Sequence, residues 1–312
     1  MDVTDSTSHP AVTGSGRTDG RFLAVNRALR TYQWVKNVLL FVPMLMAHSV
    51  ADASLWIQVT LGFFAFSFAA SFGYVVNDLA DRDADRQHPA KRHRPFASGA
   101  LSPAFGYALA PVLLVAAFAL SWVALPPAFL IALSAYTVTT VAYSFALKQQ
   151  PVTDVIVLAG LYTLRILAGG AATGIVVSEW LLAFSMFFFL SLALLKRFAE
   201  LKRLAVEPER SLHGRGYRGE DLSLLRNIGA TAGYLSVLVL ALYVTSPEVV
   251  ELYDRPNLLW LVAVLLLHWI TRVWLLAGRG AIDDDPILFA VKDKGSYFIG
   301  ALSATILLVA SL

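Results

Sequence analysis

A run of oxygen-bearing side chains directly follows an apolar segment and could bind a metal ion. Asn77, Asp81 and Asp85 recur at every fourth position, immediately after the stretch LGFFAFSFAASFGYVV. If the helix continues past the membrane edge, this spacing places the three side chains on one helix face, with Asp78 a short rotation away. Amide and carboxylate oxygens suit a hard cation such as Mg²⁺, which completes its shell with water and substrate phosphates. The pattern therefore indicates a metal site at the mouth of a membrane helix.

A group of basic side chains follows the acidic run within thirteen residues: Arg82, Arg86, Lys91, Arg92 and Arg94. Carboxylates beside cations at a membrane mouth indicate a site for a metal ion and a diphosphate. The competing interpretation is a solvated helix end with local ion pairs, which explains Arg82 and Arg86. It does not explain Asn77 and Asp78, which are costly to bury beside an apolar run without a partner.

A second polar group ends a later apolar stretch, in the segment LLKRFAELKR. Lys196, Arg197, Glu200 and Arg203 lie there at near-helical spacing. One interpretation is a phosphate clamp across from the metal site. The other is a cytoplasmic anchor of long basic side chains, which the segment taken alone favours.

A third set of polar residues lies within or at the ends of apolar stretches: Lys36, Asn37, Tyr143, Ser144, Lys148, Asp154 and Arg165. An arginine near the middle of a membrane helix costs at least about 2.5 kcal/mol, so Arg165 should face a polar cavity and a partner. The alternative is a buried ion pair with Asp154 or another acid that serves packing alone. The acidic run Asp283, Asp284 and Asp285 precedes Pro286. It could order a cap over the site, but a surface turn with an aspartate helix cap is favoured.

The composition is that of a polytopic membrane protein with only helical spans. The 312 residues are 57% hydrophobic and 15% charged, against about 25% charged in soluble domains. The absence of cysteine excludes disulfides. Residues 1–20 are polar and lack the apolar core of a signal peptide, so we expect a disordered tail followed by one transmembrane catalytic domain at 21–312.

Nine apolar stretches are long enough to span a bilayer. They lie at 33–50, 55–77, 104–124, 127–147, 152–172, 179–200, 224–246, 257–278 and 295–312. The first is the weakest candidate because it contains Lys36 and Asn37. Basic residues dominate alternate loops, which places the N-terminus in the cytoplasm and the C-terminus outside.

The segment Asn77–Asp85 resembles the N-D-x-x-D-x-x-x-D signature of the UbiA superfamily of intramembrane prenyltransferases, and nine spans match that family's helix count. Within it, the chain looks most like the decaprenyl-phosphate phosphoribosyltransferase branch. The segments that carry this likeness are QWVKN (33–37), HPAKRHRPFASG (88–99), YSFALKQQPVTD (143–154), LRILAGGAATG (164–174) and LLKRFAEL (194–201). Typical polyprenyltransferases have a second aspartate-rich motif near the end of the sixth span, where this chain has Lys196, Arg197 and Glu200.

The resemblance implies Mg²⁺-dependent transfer of 5-phosphoribose from phosphoribosyl diphosphate to a polyprenyl phosphate. Asn77, Asp81 and Asp85 would be metal ligands, and Asp78, Asp81 and Asp85 catalytic residues. The implied substrate-binding residues are Gln33, Lys36, Asn37, Lys91, Arg92, Arg94, Tyr143, Lys148, Asp154, Arg165, Lys196, Arg197 and Glu200. The enzyme would lie in the inner (plasma) membrane with its site facing the cytoplasm. No nucleic-acid partner is expected, and the oligomeric state is open.

Two other functions remain open on the sequence. A UbiA-type polyprenyltransferase would move a prenyl group from its diphosphate to an aromatic or other small acceptor, but the missing second aspartate-rich motif argues against it. A transporter could use Lys36, Asp154 and Arg165 to line a pathway. Against transport, no repeated halves are visible in the sequence.

Overall fold

The computed structural model describes residues 15–89, 91–206, 216–282 and 285–311, and all regular structure within these ranges is helical. The α-helices are α1 Ser15–Leu29, α2 Val42–Met46, α3 Ala53–Ala80, α4 Arg82–Gln87, α5 Pro103–Ala124, α6 Pro127–Phe145, α7 Thr153–Thr173, α8 Glu179–Val206, α9 Leu222–Val244, α10 Pro247–Leu252, α11 Leu259–Gly278, α12 Pro286–Lys292 and α13 Lys294–Ala310. Short 3-10 helices occur at Thr31–Phe41, Lys91–His93, Leu147–Gln149, Gly219–Asp221 and Pro256–Leu258.

Seven helices in the described ranges are long and apolar enough to cross a membrane: α3, α5, α6, α7, α8, α9 and α11. They confirm seven of the nine predicted spans. The last predicted span, 295–312, corresponds to α13, an apolar helix that is shorter than these seven. The predicted side of the membrane for each terminus stays a prediction.

The first predicted span, at 33–50, is not among the seven and stays a prediction as a membrane span. The chain there forms the 3-10 helix Thr31–Phe41 and then the short helix α2. The physical reason is that Lys36 and Asn37 are buried and bonded to distant side chains, so this segment is packed inside the bundle.

The start of the chain is described only in part. Residues 1–14 of the predicted tail lie outside the described residues. Helix α1 begins at Ser15 and therefore takes in residues 15–20, which were predicted to be disordered.

Side-chain caps and prolines fix where several helices begin. Asp52 accepts a hydrogen bond from the backbone N–H of Ser54 at the start of α3. Ser102 does the same for Phe105 at the start of α5. Proline stands at the first position of α5, α6 and α12, where its missing N–H leaves no helical bond unmade.

Helix α7 lies between two apolar cores. On one side Tyr162 and Ile166 pack in a cluster with side chains of α8 and α11. On the other side Leu161 and Ala168 pack in a cluster with the 3-10 helix, α3 and α6. The helix is therefore covered on both faces, and polar residues along it must find partners within the bundle.

A glycine lets the 3-10 helix approach α7 closely. A Cβ atom added at Gly169 would lie 2.0 Å from the backbone carbonyl oxygen of Leu40. That distance is far inside van der Waals contact, so backbone would have to move to accommodate even a methyl group. Gly169 therefore sets how near Lys36 and Asn37 come to the residues of α7.

We expect Gly169→Ala to lower the thermal stability of the detergent-solubilised protein. Overpacking of this kind should reduce the free energy of unfolding by about 1–3 kcal/mol. The matched control is Gly160→Ala in the same helix, where an added Cβ meets nothing within 4 Å. A glycine-to-alanine change at such a helical site should stabilise by about 0.5–1 kcal/mol. Equal melting temperatures for the two variants would contradict this account of Gly169.

Candidate active site

The predicted metal-binding motif lies where α3 ends. Asp81 is the C-terminal cap of α3, and its N–H donates to the Asn77 carbonyl oxygen at 2.9 Å. The N–H of Asp85 donates to the Asp81 carbonyl oxygen at 2.8 Å, so the helical path continues into α4. The chain therefore continues in a helical path from α3 into α4, as the spacing predicted, and the regular α-helix is interrupted only at Asp81.

Asn77 and Asp81 form the first of two polar groups there. The Asn77 Nδ2 donates to Asp81 Oδ2 at 3.1 Å. Lys148, from the 3-10 turn after α6, reaches Asn77 Oδ1 at 3.3 Å and Asp81 Oδ2 at 3.2 Å. This lysine brings the end of α6 to the motif, and its predicted substrate-binding role stays a prediction.

Asp78 and Asp85 form the second group, around Arg94. Arg94 Nη1 donates to Asp78 Oδ1 at 3.1 Å and to Asp85 Oδ2 at 2.7 Å, and Arg30 Nη2 donates to Asp78 Oδ1 at 2.6 Å. Both carboxylates are almost fully buried. Burial raises the pKa of Asp85, and the neighbouring Arg94 acts in the opposite direction. The predicted face of three ligands is thus divided, with Asp85 beside Asp78 rather than beside Asp81.

The donor set is one that a hard cation prefers. Within the described ranges no cluster of three His, Cys, Asp or Glu side chains is close enough to hold a metal ion. Three cations, Arg30, Arg94 and Lys148, instead compensate the carboxylates. Asp78 Oδ2 is buried and has no hydrogen-bond partner among the described residues. An orphaned buried carboxylate oxygen beside other oxygen ligands fits a hard divalent ion such as Mg²⁺.

Arg197 is the centre of a second network, where α7 begins and α8 approaches its C-terminal end. It forms an ion pair with Asp154, donates to Glu200 Oε2 at 2.5 Å and donates to the Tyr143 hydroxyl at 2.7 Å. The side chain is 2% exposed. Because each guanidinium nitrogen has a protein acceptor, this geometry suits a positioning role for Arg197.

Tyr217 closes this network, and sequence reasoning missed it. Its hydroxyl donates to Asp154 Oδ1 at 2.6 Å and accepts from the backbone N–H of Val152 at 2.8 Å. Burial and the bond to Asp154 raise the pKa of Tyr217, so the hydroxyl stays protonated and donating. Val152 has a φ of 68°, which is unfavourable for a β-branched residue. Tyr217 therefore holds a strained turn beside Asp154.

Arg165 lies in the middle of α7 and has no acidic partner in the described part of the chain. It donates to Asn37 Oδ1 at 2.8 Å, to the Leu161 carbonyl oxygen at 2.6 Å and to the Tyr136 hydroxyl at 3.0 Å. The guanidinium also lies 4.8 Å from the Tyr136 ring centroid, a cation–π distance. The alternative of an Arg165–Asp154 ion pair is wrong, because Asp154 lies about three turns away and pairs with Arg197.

Lys36 and Asp285 form a buried ion pair between the 3-10 helix and α12. Asp285 Oδ1 also accepts the backbone N–H groups of Ile287 at 3.1 Å and Leu288 at 3.4 Å, which confirms the predicted helix cap. The predicted surface position is wrong, because the Asp285 side chain is buried against Lys36. Burial acts to raise the pKa of Asp285, but Lys36 and Lys196 outweigh it and hold that pKa below its usual range. The pairing with Lys36 was missed, and Asp283 and Asp284 lie outside the described residues.

The remaining predicted site residues differ in solvent exposure and in hydrogen bonding. Lys91 and Arg92 are exposed on the 3-10 turn after α4. Gln33 has a buried Oε1 that lacks a hydrogen-bond partner in the ranges described. Lys196 is half-buried on α8 and forms no hydrogen bond or ion pair with any described residue.

A cavity of about 1080 Å³ lies between helices of the same bundle, and it is somewhat larger than a typical small-molecule pocket of roughly 300–1,000 Å³. Its walls are mostly apolar and come from α2, α8, α9, α11, α12 and α13. Among them are Val42, Phe188, Trp269, Ala290 and Leu307. The cavity is suited to an apolar chain.

Comparisons with known proteins agree on one family. The model of the UbiA prenyltransferase family matches residues 38–291. The uncharacterized protein y4nM of Sinorhizobium fredii is 39% identical over 90% of this chain, which spans only 55% of that protein. Nodulation protein NoeC of Azorhizobium caulinodans is 38% identical, over 88% of this chain and 89% of its own. The decaprenyl-phosphate phosphoribosyltransferase of Mycolicibacterium smegmatis is 31% identical over 86% of each chain.

A solved structure shares the fold. The structure of a UbiA homolog from Archaeoglobus fulgidus bound to GPP and Mg²⁺ superposes with a TM-score of 0.66, over 93% of this chain and all of that one. The two sequences are 18% identical, so this likeness concerns the fold alone.

We expect Tyr217→Phe to destabilise the protein by roughly 1–3 kcal/mol, because Asp154 loses a donor and the Val152 N–H loses its acceptor. The measurement is thermal unfolding in detergent. The control is Tyr234→Phe, whose hydroxyl makes an exposed 3.4 Å contact with Thr271 and should change little. A Tyr217→Phe protein as stable as Tyr234→Phe would show that the strained turn needs no such support.

Proposed function

The chain belongs to the UbiA prenyltransferase family, and from that premise we propose that it transfers 5-phosphoribose from phosphoribosyl diphosphate to a polyprenyl phosphate, with release of diphosphate. The observation that carries the proposal is the composition of the α8 end. Arg197 occupies both nearby carboxylates, Asp154 and Glu200, and Lys196 stands beside it. A lysine, Lys196, in place of a second acidic metal site suits a reaction that brings a phosphate group in addition to the diphosphate.

The named relatives support the same reaction class. A decaprenyl-phosphate phosphoribosyltransferase covers 86% of the chain at 31% identity. NoeC, at higher identity, is named for nodulation, so the natural lipid acceptor stays open within the proposal.

Asn77, Asp78, Asp81 and Asp85 would hold Mg²⁺, since they supply hard oxygen ligands and Asp78 Oδ2 lacks a partner among the described residues. When bound, Mg²⁺ would neutralise charge on the leaving diphosphate. Lys148 and Arg94 now compensate Asp81 and Asp85, and both are partly exposed. They can turn to diphosphate oxygens once the carboxylates are otherwise neutralised.

The residues at the mouth attract the anionic donor from water. Lys91 and Arg92 are exposed there and give the entrance a positive potential. In the transfer, the bond between ribose C1 and the diphosphate oxygen breaks with oxocarbenium character, and an oxygen of the lipid phosphate forms the new bond to C1. A phosphate monoester is largely ionised at pH 7, so this attack needs no strong general base.

The proposed site would take one substrate from water and the other from the lipid bilayer. The protein spans the membrane with its apolar helices, and we place it in the plasma membrane with residues 77–94 on the cytoplasmic side, because basic residues concentrate in that loop. The polyprenyl tail would occupy the 1080 Å³ apolar cavity. The water-soluble donor would enter beside α4.

We expect Asp81→Ala to reduce phosphoribosyl transfer by at least about a hundredfold while the protein still inserts and folds. The assay uses detergent-purified protein, Mg²⁺, radiolabelled phosphoribosyl diphosphate and a polyprenyl phosphate, with label counted in the organic phase. The matched control is Asp83→Ala in the same segment, whose side chain is 76% exposed and pairs only with surface arginines. Wild-type turnover in Asp81→Ala would contradict the assignment of Asp81 as a metal ligand.

The same assay tests the alternative function. The family model that matches the chain is that of the UbiA prenyltransferases, which favours prenyl transfer as the second candidate. Incubation with a labelled prenyl diphosphate and 4-hydroxybenzoate should give no product here. Prenylated product without phosphoribosyl transfer would overturn the proposal.

A further inference from the structure

Lys196 is a half-buried cation that forms no ion pair with any described residue. It lies on α8 and makes no hydrogen bond within the described ranges either. The charged groups that act on it are Lys36, Glu200, Asp285 and Arg197. Glu200 is bonded to Arg197, and Asp285 is bonded to Lys36. Lys196 therefore stands beside an ion pair that it does not join.

We propose that Lys36 and Lys196 bind the phosphate monoester of the lipid acceptor, and that the Asp285 carboxylate occupies Lys36 until this phosphate displaces it. The inference rests on the proposed function, because it assigns the acceptor phosphate of that reaction to particular residues. It also separates the acceptor site from the oxygen ligands around Asp81.

Charge balance supports an exchange of anions. Lys36, Lys196 and Asp285 together carry a net charge of +1; the first and last side chains are buried and Lys196 is half-buried. A phosphate monoester carries about −1.5 to −2 at pH 7, which matches the two lysines once Asp285 has left. If Asp285 kept its contact with Lys36, the carboxylate and the phosphate would compete for one ammonium group, and two like charges side by side are unfavourable.

The position of the group assigns the phosphate to a lipid. Each of the three side chains lies on, or directly before, a helix that lines the apolar cavity. Ala290 follows Asp285 on α12, Phe188 precedes Lys196 on α8, and Val42 follows Lys36. At helical rise these separations are about 8–12 Å, so the lysines lie just beyond one end of the cavity. A phosphate held there would leave its apolar tail directed into the cavity.

The capping role of Asp285 allows the exchange without unfolding α12. Oδ1 accepts the N–H groups of Ile287 and Leu288, whereas Oδ2 contacts Lys36. The two oxygens thus have separate tasks, and loss of the Lys36 contact leaves the cap in place. Ile287, Phe289 and Ala290 keep α12 packed on the core of α7, α8 and α11.

The test is binding of farnesyl phosphate to full-length protein in detergent by calorimetry, without metal or sugar donor. Asp285→Asn removes the charge but keeps a good helix cap. This variant should bind farnesyl phosphate at least about threefold tighter, because no carboxylate has to be displaced from Lys36. Lys196→Met should bind it roughly ten- to a hundredfold more weakly.

Asp293→Asn is the matched control. Asp293 also caps a helix, α13, and pairs with an arginine, but it contacts Arg272 rather than Lys36. Its affinity for farnesyl phosphate should equal the wild-type value. Farnesol, which has the tail without the phosphate, should bind all four proteins alike.

Two results would overturn the inference. One is Asp285→Asn binding farnesyl phosphate no tighter than wild type, which would make Asp285 purely structural. The other is ribose 5-phosphate, rather than farnesyl phosphate, responding to Lys196→Met, which would give these lysines to the sugar donor. Because the titration needs no turnover, phosphoribosyl transfer can fail while this binding pattern holds, and the reverse can also occur. The two proposals therefore fail separately.

Discussion

Charged side chains buried between apolar helices must each find a compensating group, and this requirement organises the bundle. Arg197 pairs with Asp154 and Glu200, and Lys36 pairs with Asp285. Arg165 instead relies on hydroxyl, amide and carbonyl dipoles. Four of these six bonds join elements distant in sequence, so satisfying the charges also fixes which helices meet. The cost of leaving any one unpaired exceeds what a single apolar contact could recover.

The same requirement explains what the sequence could and could not predict. Long apolar runs identify seven spans because twenty apolar residues have few other stable placements. The Asn77–Asp85 segment was recognisable because its spacing is local. Partner choice was not, since Lys36 and Asp285 are 249 residues apart and no periodicity links them. Arg165 and Asp154 share a helix and looked like partners. Asp154 instead pairs with Arg197, near the end of α8.

In the segment after α1, two polar residues determine the structure despite the apolar character of the rest. Its apolar residues suggested a span, but Lys36 and Asn37 need partners on α12 and α7. The chain forms a 3-10 helix there, which has a longer rise per residue than an α-helix and changes the direction in which side chains point. Gly169 leaves the room for this segment beside α7.

Helix α7 is enclosed by both apolar cores and carries Asp154 and Arg165, yet none of its residues 153–173 lines the large cavity. The walls of that cavity come from other helices. Natural variation can therefore reshape the cavity for a longer, shorter or differently branched hydrocarbon without disturbing the polar interior. Relatives that serve different lipids could thus diverge at the walls while inheriting one unchanged central helix.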